Sequence, residues 1–162
     1  MGEHTSGRLP SVADYRAHVT EKVRYADTDR QGHVNNAVFA TFLESGRVAV
    51  LYDPQAPLAG PGTSFVIARL ELDFRAEMTW PGDIVVGTRV ASLGRSSIVL
   101  EQGIFQADTC VATATTVIVA FDDSTRRSRP LPESAVTILR ALTVSTAGGS
   151  TTDETTSGGS TN

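Results

Sequence analysis

The stretch Arg24-Tyr25-Ala26-Asp27-Thr28-Asp29-Arg30-Gln31-Gly32-His33-Val34-Asn35-Asn36-Ala37 decides how this chain is read. Before it, His18 to Tyr25 places β-formers loosely two residues apart, the period of a strand. After it the period changes. From Asn36 to about Tyr52, the residues Val38, Phe39, Phe42, Leu43, Gly46, Ala49 and Val50 recur at helical spacing, which predicts one long helix. Asn35 or Asn36 is placed to cap it, because an asparagine side chain accepts from the orphan N–H groups of a first turn. Asp53-Pro54 ends it. The apolar arc is broad, so the helix is expected to be mostly buried. Ser45, Gly46 and Ala49 are small enough to let it approach a sheet. Glu44 and Arg47 are expected to form a surface or interface ion pair.

Between strand and helix, the turn gathers two carboxylates, a glycine, a histidine and two asparagines, which are poor core fillers. They precede a helix start, where unpaired N–H groups and the positive end of the dipole favour negative charge. Asp29 is the principal candidate for chemistry. A carboxylate can activate water as a general base or attack a carbonyl itself. Asp27 is expected to hold the loop by hydrogen bonds. Gly32 suits a backbone conformation closed to other residues, or a close approach by substrate. His33 fits two roles evenly: polarising a substrate or orienting Asp29, and a plain loop histidine bonded to a carbonyl. Asn35 either caps the helix or positions a water or Asp29.

The remaining chain reads as strands. Pro54 to Gly62 is a Pro/Gly/Ala loop. Phe65–Phe74, Ile84–Val90, Ile98–Phe105 and Val111–Phe121 are strand candidates, separated by Pro81-Gly82-Asp83, Gly94-Arg95-Ser96-Ser97 and Gln106-Ala107-Asp108. Strand, helix, then a meander of four strands predicts an α+β fold: one antiparallel sheet with a long helix on one face. Glu133 to Leu142 reads as a short terminal helix. Residues 1–12 are expected to be a disordered lead-in, 13–142 one domain, and 143–162, rich in Thr, Ser and Gly, a disordered tail.

Composition removes several classes. A chain of 162 residues with 40% hydrophobic and 20% charged residues suits one soluble domain. A net charge of -4 gives no general reason to expect nucleic acid or a membrane surface as partner. No run approaches the ~20 apolar residues of a bilayer span, and the opening residues lack an apolar signal region. The single cysteine, Cys110, permits no intrachain disulfide and fits a reducing compartment, so a cytoplasmic protein is expected, with Cys110 as a core residue. Three histidines and one cysteine at scattered positions make no ligand set; no metal or cofactor is expected.

The run Asp27-Thr28-Asp29-x-x-Gly32-His33-Val34-Asn35-Asn36, followed by an aromatic helix, resembles the active-site turn of the hotdog-fold acyl-CoA thioesterases, in the 4-hydroxybenzoyl-CoA thioesterase-like family. The resemblance spans roughly residues 15 to 142. It implies an antiparallel sheet wrapped around the long helix, and hydrolysis of an acyl-CoA to free acid and CoA. It implies that Asp29 is nucleophile or general base, with His33 beside it. Backbone N–H groups at Asn36 and Ala37 would hold the oxyanion, and Gly32 and Asn35 would line the substrate. Arg95, Ser96 and Arg127, with Ser97, Arg126 and Arg129, offer a surface for the phosphates of CoA, since arginine forks and turn amides suit phosphate. Relatives of this kind are dimers or tetramers, so a homo-oligomer, taken as a homotetramer, is expected. An acyl-carrier-protein thioesterase, a hotdog hydratase or dehydratase, and a non-catalytic acyl-CoA-binding module are the alternatives.

Overall fold

The computed structural model describes residues 8–143. In chain order these form β1 (Ala17–Val23), α1 (Asn36–Leu51), β2 (Thr63–Phe74), β3 (Gly82–Leu93), β4 (Ser97–Gln106), β5 (Thr109–Asp122), a short β6 (Arg127–Ser128) and α2 (Glu133–Ala141). Residues 1–7 of the expected lead-in and 144–162 of the expected tail lie outside the described residues. Residues 8–14 have a defined course: the Ser11 N–H and hydroxyl donate to Asp14 Oδ2 (2.7 and 3.1 Å), which closes a 3-10 turn over Val12–Asp14.

The strands make one antiparallel sheet in the order β1-β3-β4-β5-β2, with β6 paired to β5. β3, β4 and β5 are the expected meander. β2 is not part of it, contrary to the sequence reading. It lies at the far edge against β5, with Thr63 opposite Asp122 and Phe74 opposite Ala112. β1 takes the place beside β3, with Ala17 opposite Thr88 and Val23 opposite Gly82. The cause lies in residues 75–81. The Arg75 and Ala76 N–H groups both donate to Val111 O (2.9 and 3.1 Å), holding the chain at β5 where β2 ends. Seven residues reach roughly 23 Å, enough to cross the roughly 14 Å of three strand spacings to β3.

α1 lies across the inner face of the sheet, on β3, β1 and β4, which is the expected hotdog arrangement. Asn35 is its N-cap: Asn35 Oδ1 accepts from the Ala37 N–H at 3.0 Å. Phe39, Phe42 and Leu43 pack with Ile84, Val86, Ile104 and Ala114; Val50 and Leu51 pack with Leu100, Ile118 and the α2 residues Ala135 and Leu139. Gly46 sets the closeness of this contact, because a Cβ there would lie 2.7 Å from Val86 Cγ1 and 2.8 Å from Gln102 Nε2. Ala49 instead faces solvent.

Arg47 corrects a second expectation. It forms no ion pair with the exposed Glu44 among the described residues. It falls on the sheet side of α1, is 5% exposed, and its Nη1 donates to Gln102 Oε1 at 3.4 Å. Gln102 Nε2 in turn donates to Leu43 O (2.9 Å) and Thr88 Oγ1 (3.1 Å), pinning helix to sheet. Burial pushes the Arg47 pKa down, partly offset by Glu44. On the outer face Tyr15 lies over Gly87 and Gly103, edge-on to Phe105 (5.7 Å) and near the buried Cys110.

Candidate active site

The turn after β1 is a small hairpin closed by its own backbone. Thr28 pairs with Val34; the Asp29 N–H donates to His33 O (2.8 Å) and the Gly32 N–H to Asp29 O (3.1 Å). That closure requires Gly32 at φ +84°, a conformation L side chains rarely adopt. Nothing lies within 4 Å of where its Cβ would be, so backbone conformation and not space demands the glycine. Two contacts fix the hairpin in the fold. The Val34 N–H donates to Met78 O (2.8 Å), and His33 pairs with Thr79 on the segment leading into β3.

Asp27 sits beneath the turn, 3% exposed. Its Oδ2 accepts the Arg24 N–H (2.8 Å), its Oδ1 accepts Arg24 Nη2 (2.8 Å), and its carbonyl accepts the Asn35 N–H (2.9 Å). The Arg24 side chain thereby holds the Asp27 carboxyl below its ordinary pKa. This is the loop-holding role expected for it.

Asp29 is exposed. Its Oδ1 accepts from the Gln31 N–H (2.7 Å) and the His33 N–H (3.3 Å). That fixes the carboxylate plane and leaves Oδ2 without a partner among the described residues. His33 is half-buried, with Nε2 3.2 Å from Glu77 Oε2. At the start of α1 the Ala37 N–H is taken by the Asn35 side chain, and the Val38 N–H by Asn35 O (2.9 Å). The Asn36 N–H is the amide with no partner among the described residues. Of the two expected oxyanion donors, Asn36 is open and Ala37 is occupied, because Asn35 spends its side chain on the cap.

Asp29, His33 and Asn36 line one cavity of about 400 Å³, with Val34, Phe39, Phe74 and Met78 as apolar wall. It therefore combines a fixed carboxylate, a histidine, a free helix N-terminal amide and an apolar surface, which suits attack on a polarised carbonyl. Sequence reading missed Arg75 and Glu77, which also line it. Arg75 is engaged with Thr113 Oγ1 (3.2 Å) and Asp73 Oδ2 (3.4 Å). The Val34–Met78 hydrogen bond and the His33–Thr79 pairing, contacts distant in sequence, bring Glu77 to His33. Among the described residues no group of three His, Cys, Asp or Glu side chains is placed to hold a metal ion.

The expected phosphate residues are elsewhere. Arg95 and Ser96 form the β3–β4 turn, and Arg127 pairs with Asp122, which lies opposite Thr63. Phe74 and Thr63 are the two ends of β2, roughly 36 Å apart at strand rise. Within one protomer these residues do not reach the Asp29 cavity.

Residues 23–141 match the thioesterase-like superfamily. The chain is 28% identical over 119 residues to the acyl-CoA thioester hydrolase YbgC of Escherichia coli O157:H7, covering 71% of this chain and 89% of that one. It is 31% identical to a thioesterase of Thermus thermophilus, solved in complex with coenzyme A and Zn, at a TM-score of 0.70 over 80% of this chain and 95% of the other. It is 26% identical to the PA5185 protein of Pseudomonas aeruginosa, at a TM-score of 0.75 over 84% and 97% of the two chains.

Proposed function

Since the chain belongs to the thioesterase-like superfamily, we propose that it is an acyl-CoA thioester hydrolase acting at the Asp29 turn and the start of α1. The observation that carries this is the shared cavity of Asp29, His33 and the open amide of Asn36. In the reaction, water and the thioester give a carboxylic acid and the CoA thiol. A C–O bond forms, the C–S bond breaks, and the departing sulfur takes up a proton. The Asn36 N–H is the donor for the developing oxyanion, where the α1 dipole adds to it. Asp29 Oδ2, the oxygen left free by the turn amides, takes the proton from water, or attacks the carbonyl carbon itself, displacing the thiolate to leave a mixed anhydride that water then hydrolyses to the acid and free Asp29. His33 beside it supplies the proton to the thiolate. Gly32 and Asn35 shape the turn and the cap that hold these groups. Phe39 and Phe74, edge-on at 5.1 Å, face the acyl group.

Thiol release from a panel of acyl-CoA esters tests the proposal; release from none of them would refute it. Single turnover in heavy-oxygen water tests the role of Asp29: label in the Asp29 carboxylate establishes direct attack, by way of an anhydride opened at the Asp29 carbon, because base catalysis puts the label only in the product acid. We place the enzyme in the cytoplasm, on the strength of its single cysteine and its CoA ester substrate; no helix among the described residues is long and apolar enough to cross a membrane. We further propose a homo-oligomer: a dimer, with a homotetramer as two such dimers. The support is the long open edge of β2.

A further inference from the structure

Residues 75–79 lead from β2 toward β3 with their backbone held at both ends. The Arg75 and Ala76 N–H groups donate to Val111 O, and Met78 O accepts the Val34 N–H (2.8 Å). Gln106 clamps Thr79 with both ends of its amide: Oε1 accepts the Thr79 N–H (2.9 Å) and Nε2 donates to Thr79 O (2.7 Å). Met78 itself is 1% exposed and packs in the core with Val34. Glu77 is therefore an exposed carboxylate on a fixed backbone, and it lines the Asp29 cavity beside His33. Its Oε2 lies 3.2 Å from His33 Nε2. Arg75, the cation two residues before it, is turned to Thr113 and Asp73 instead. With the Glu77 side chain 73% exposed and that of His33 35%, the pair adds little to stability. Its consequence is for the imidazole.

An ionised carboxylate accepts hydrogen bonds and cannot donate them, so Nε2 carries the hydrogen of this contact. The bond made by one ring nitrogen sets the state of the other. The neutral ring therefore presents its lone pair at Nδ1, and the charged ring presents an Nδ1–H. Nδ1 has no partner among the described residues. The His33 backbone is fixed as well, because its N–H donates to Asp29 Oδ1 at 3.3 Å. Main chain and Nε2 are thus each held by one carboxylate of the cavity, and Nδ1 is the nitrogen left to meet a substrate. In the reaction the C–S bond breaks with its electron pair on sulfur, and the charged ring passes the Nδ1 proton to that sulfur. A thiol and a neutral imidazole result, with the Nε2–H still on Glu77. The attacking water supplies the proton that restores the charged ring, through either role of Asp29.

We propose that Glu77 is a positioning residue for the hydrolysis: it fixes the His33 ring so that Nδ1 delivers the proton to the departing sulfur. The assignment rests on the hydrolase reading, and the test separates the two. His33→Ala should lower kcat on the best acyl-CoA about 100-fold, the size of a lost general acid. Glu77→Ala should lower it about 10-fold at an unchanged unfolding midpoint, because the acid remains but is no longer held. Glu77→Gln keeps an acceptor for the Nε2–H and should recover most of that loss. Added to His33→Ala, the change Glu77→Ala should cost nothing more, since the group it positions is gone. The chemical check is the leaving group. The matching nitrothiophenyl ester releases a thiolate stable enough to depart without a proton, so on it the Glu77→Ala loss should shrink to less than about threefold. An unchanged kcat in Glu77→Ala, no gain from glutamine over alanine, losses that add to those of His33→Ala, or equal losses on both esters would overturn the proposal alone. No thiol release by the wild type would overturn the hydrolase reading and this assignment with it.

Discussion

Replacing Asp27 by asparagine should weaken the fold and spare the chemistry. The carboxylate is buried and accepts both the Arg24 N–H and the Arg24 guanidinium at 2.8 Å. Hydrogen bonds to charged groups contribute about 1.5–3 kcal/mol each. The Arg24 side chain is 72% exposed, so solvent screening leaves its ion pair with only a small share. Asparagine keeps one acceptor for the Arg24 N–H but turns its NH₂ toward the guanidinium donors. The expected net loss is about 1.5 kcal/mol. With a urea slope of about 2 kcal/mol/M, the unfolding midpoint should fall by about 0.7 M at fixed protomer concentration. Asp27 does not line the cavity, so thiol release should drop less than about tenfold. A loss of on the order of 100-fold or more with an unmoved midpoint would refute the reasoning and put Asp27 in the reaction.

Asn35→Ala removes the helix cap, which should cost about 1 kcal/mol by urea unfolding and free the Ala37 N–H. Gly46→Ala drives a Cβ to 2.7 Å from Val86 and should destabilise by about 1–3 kcal/mol, read as a lowered thermal midpoint. Stability should fall at both ends of the pH range. The Ser124 hydroxyl and neighbouring amides hold the Asp122 pKa down at about 2 from 3.8. Its contribution is therefore present above pH 3.8 and lost as pH falls from there toward 2. Burial pushes Tyr15 up to about 12 from 10.0, so stability holds below pH 10 and is lost as pH rises toward 12. Midpoints measured across pH should show both limbs, and Tyr15→Phe should flatten the alkaline one.

Local signals carried most of the fold. The helix from Asn36 to Leu51 and its asparagine cap follow from spacing and capping chemistry, both of which act within a few residues. The Asp29 turn was legible because Gly32, His33 and Asn35 are poor core residues gathered before a helix. Strand order was not legible. The place of β2 against β5 is decided by how residues 75–81 cross the sheet and by which edge remains for β1, neither of which is a local property. Arg47 misled for the same reason: spacing puts it near Glu44, while only the packed sheet shows that it points at Gln102. Glu77 reaches His33 through a pairing between segments more than forty residues apart. The arginines after β5 lie at the opposite end of β2 from the Asp29 turn, a placement that no local signal in the sequence reveals.

The most direct test of the hydrolase account compares thiol release by the wild type and Asp29→Asn on the best ester of the panel. Asparagine can still accept the Gln31 and His33 amides that hold the turn, so the fold should persist while the group that takes the proton or attacks the carbonyl is gone. The predicted result is a fall in kcat on the order of 100-fold or more with an unchanged unfolding midpoint. Turnover that survives the substitution would remove Asp29 from the mechanism and contradict the account.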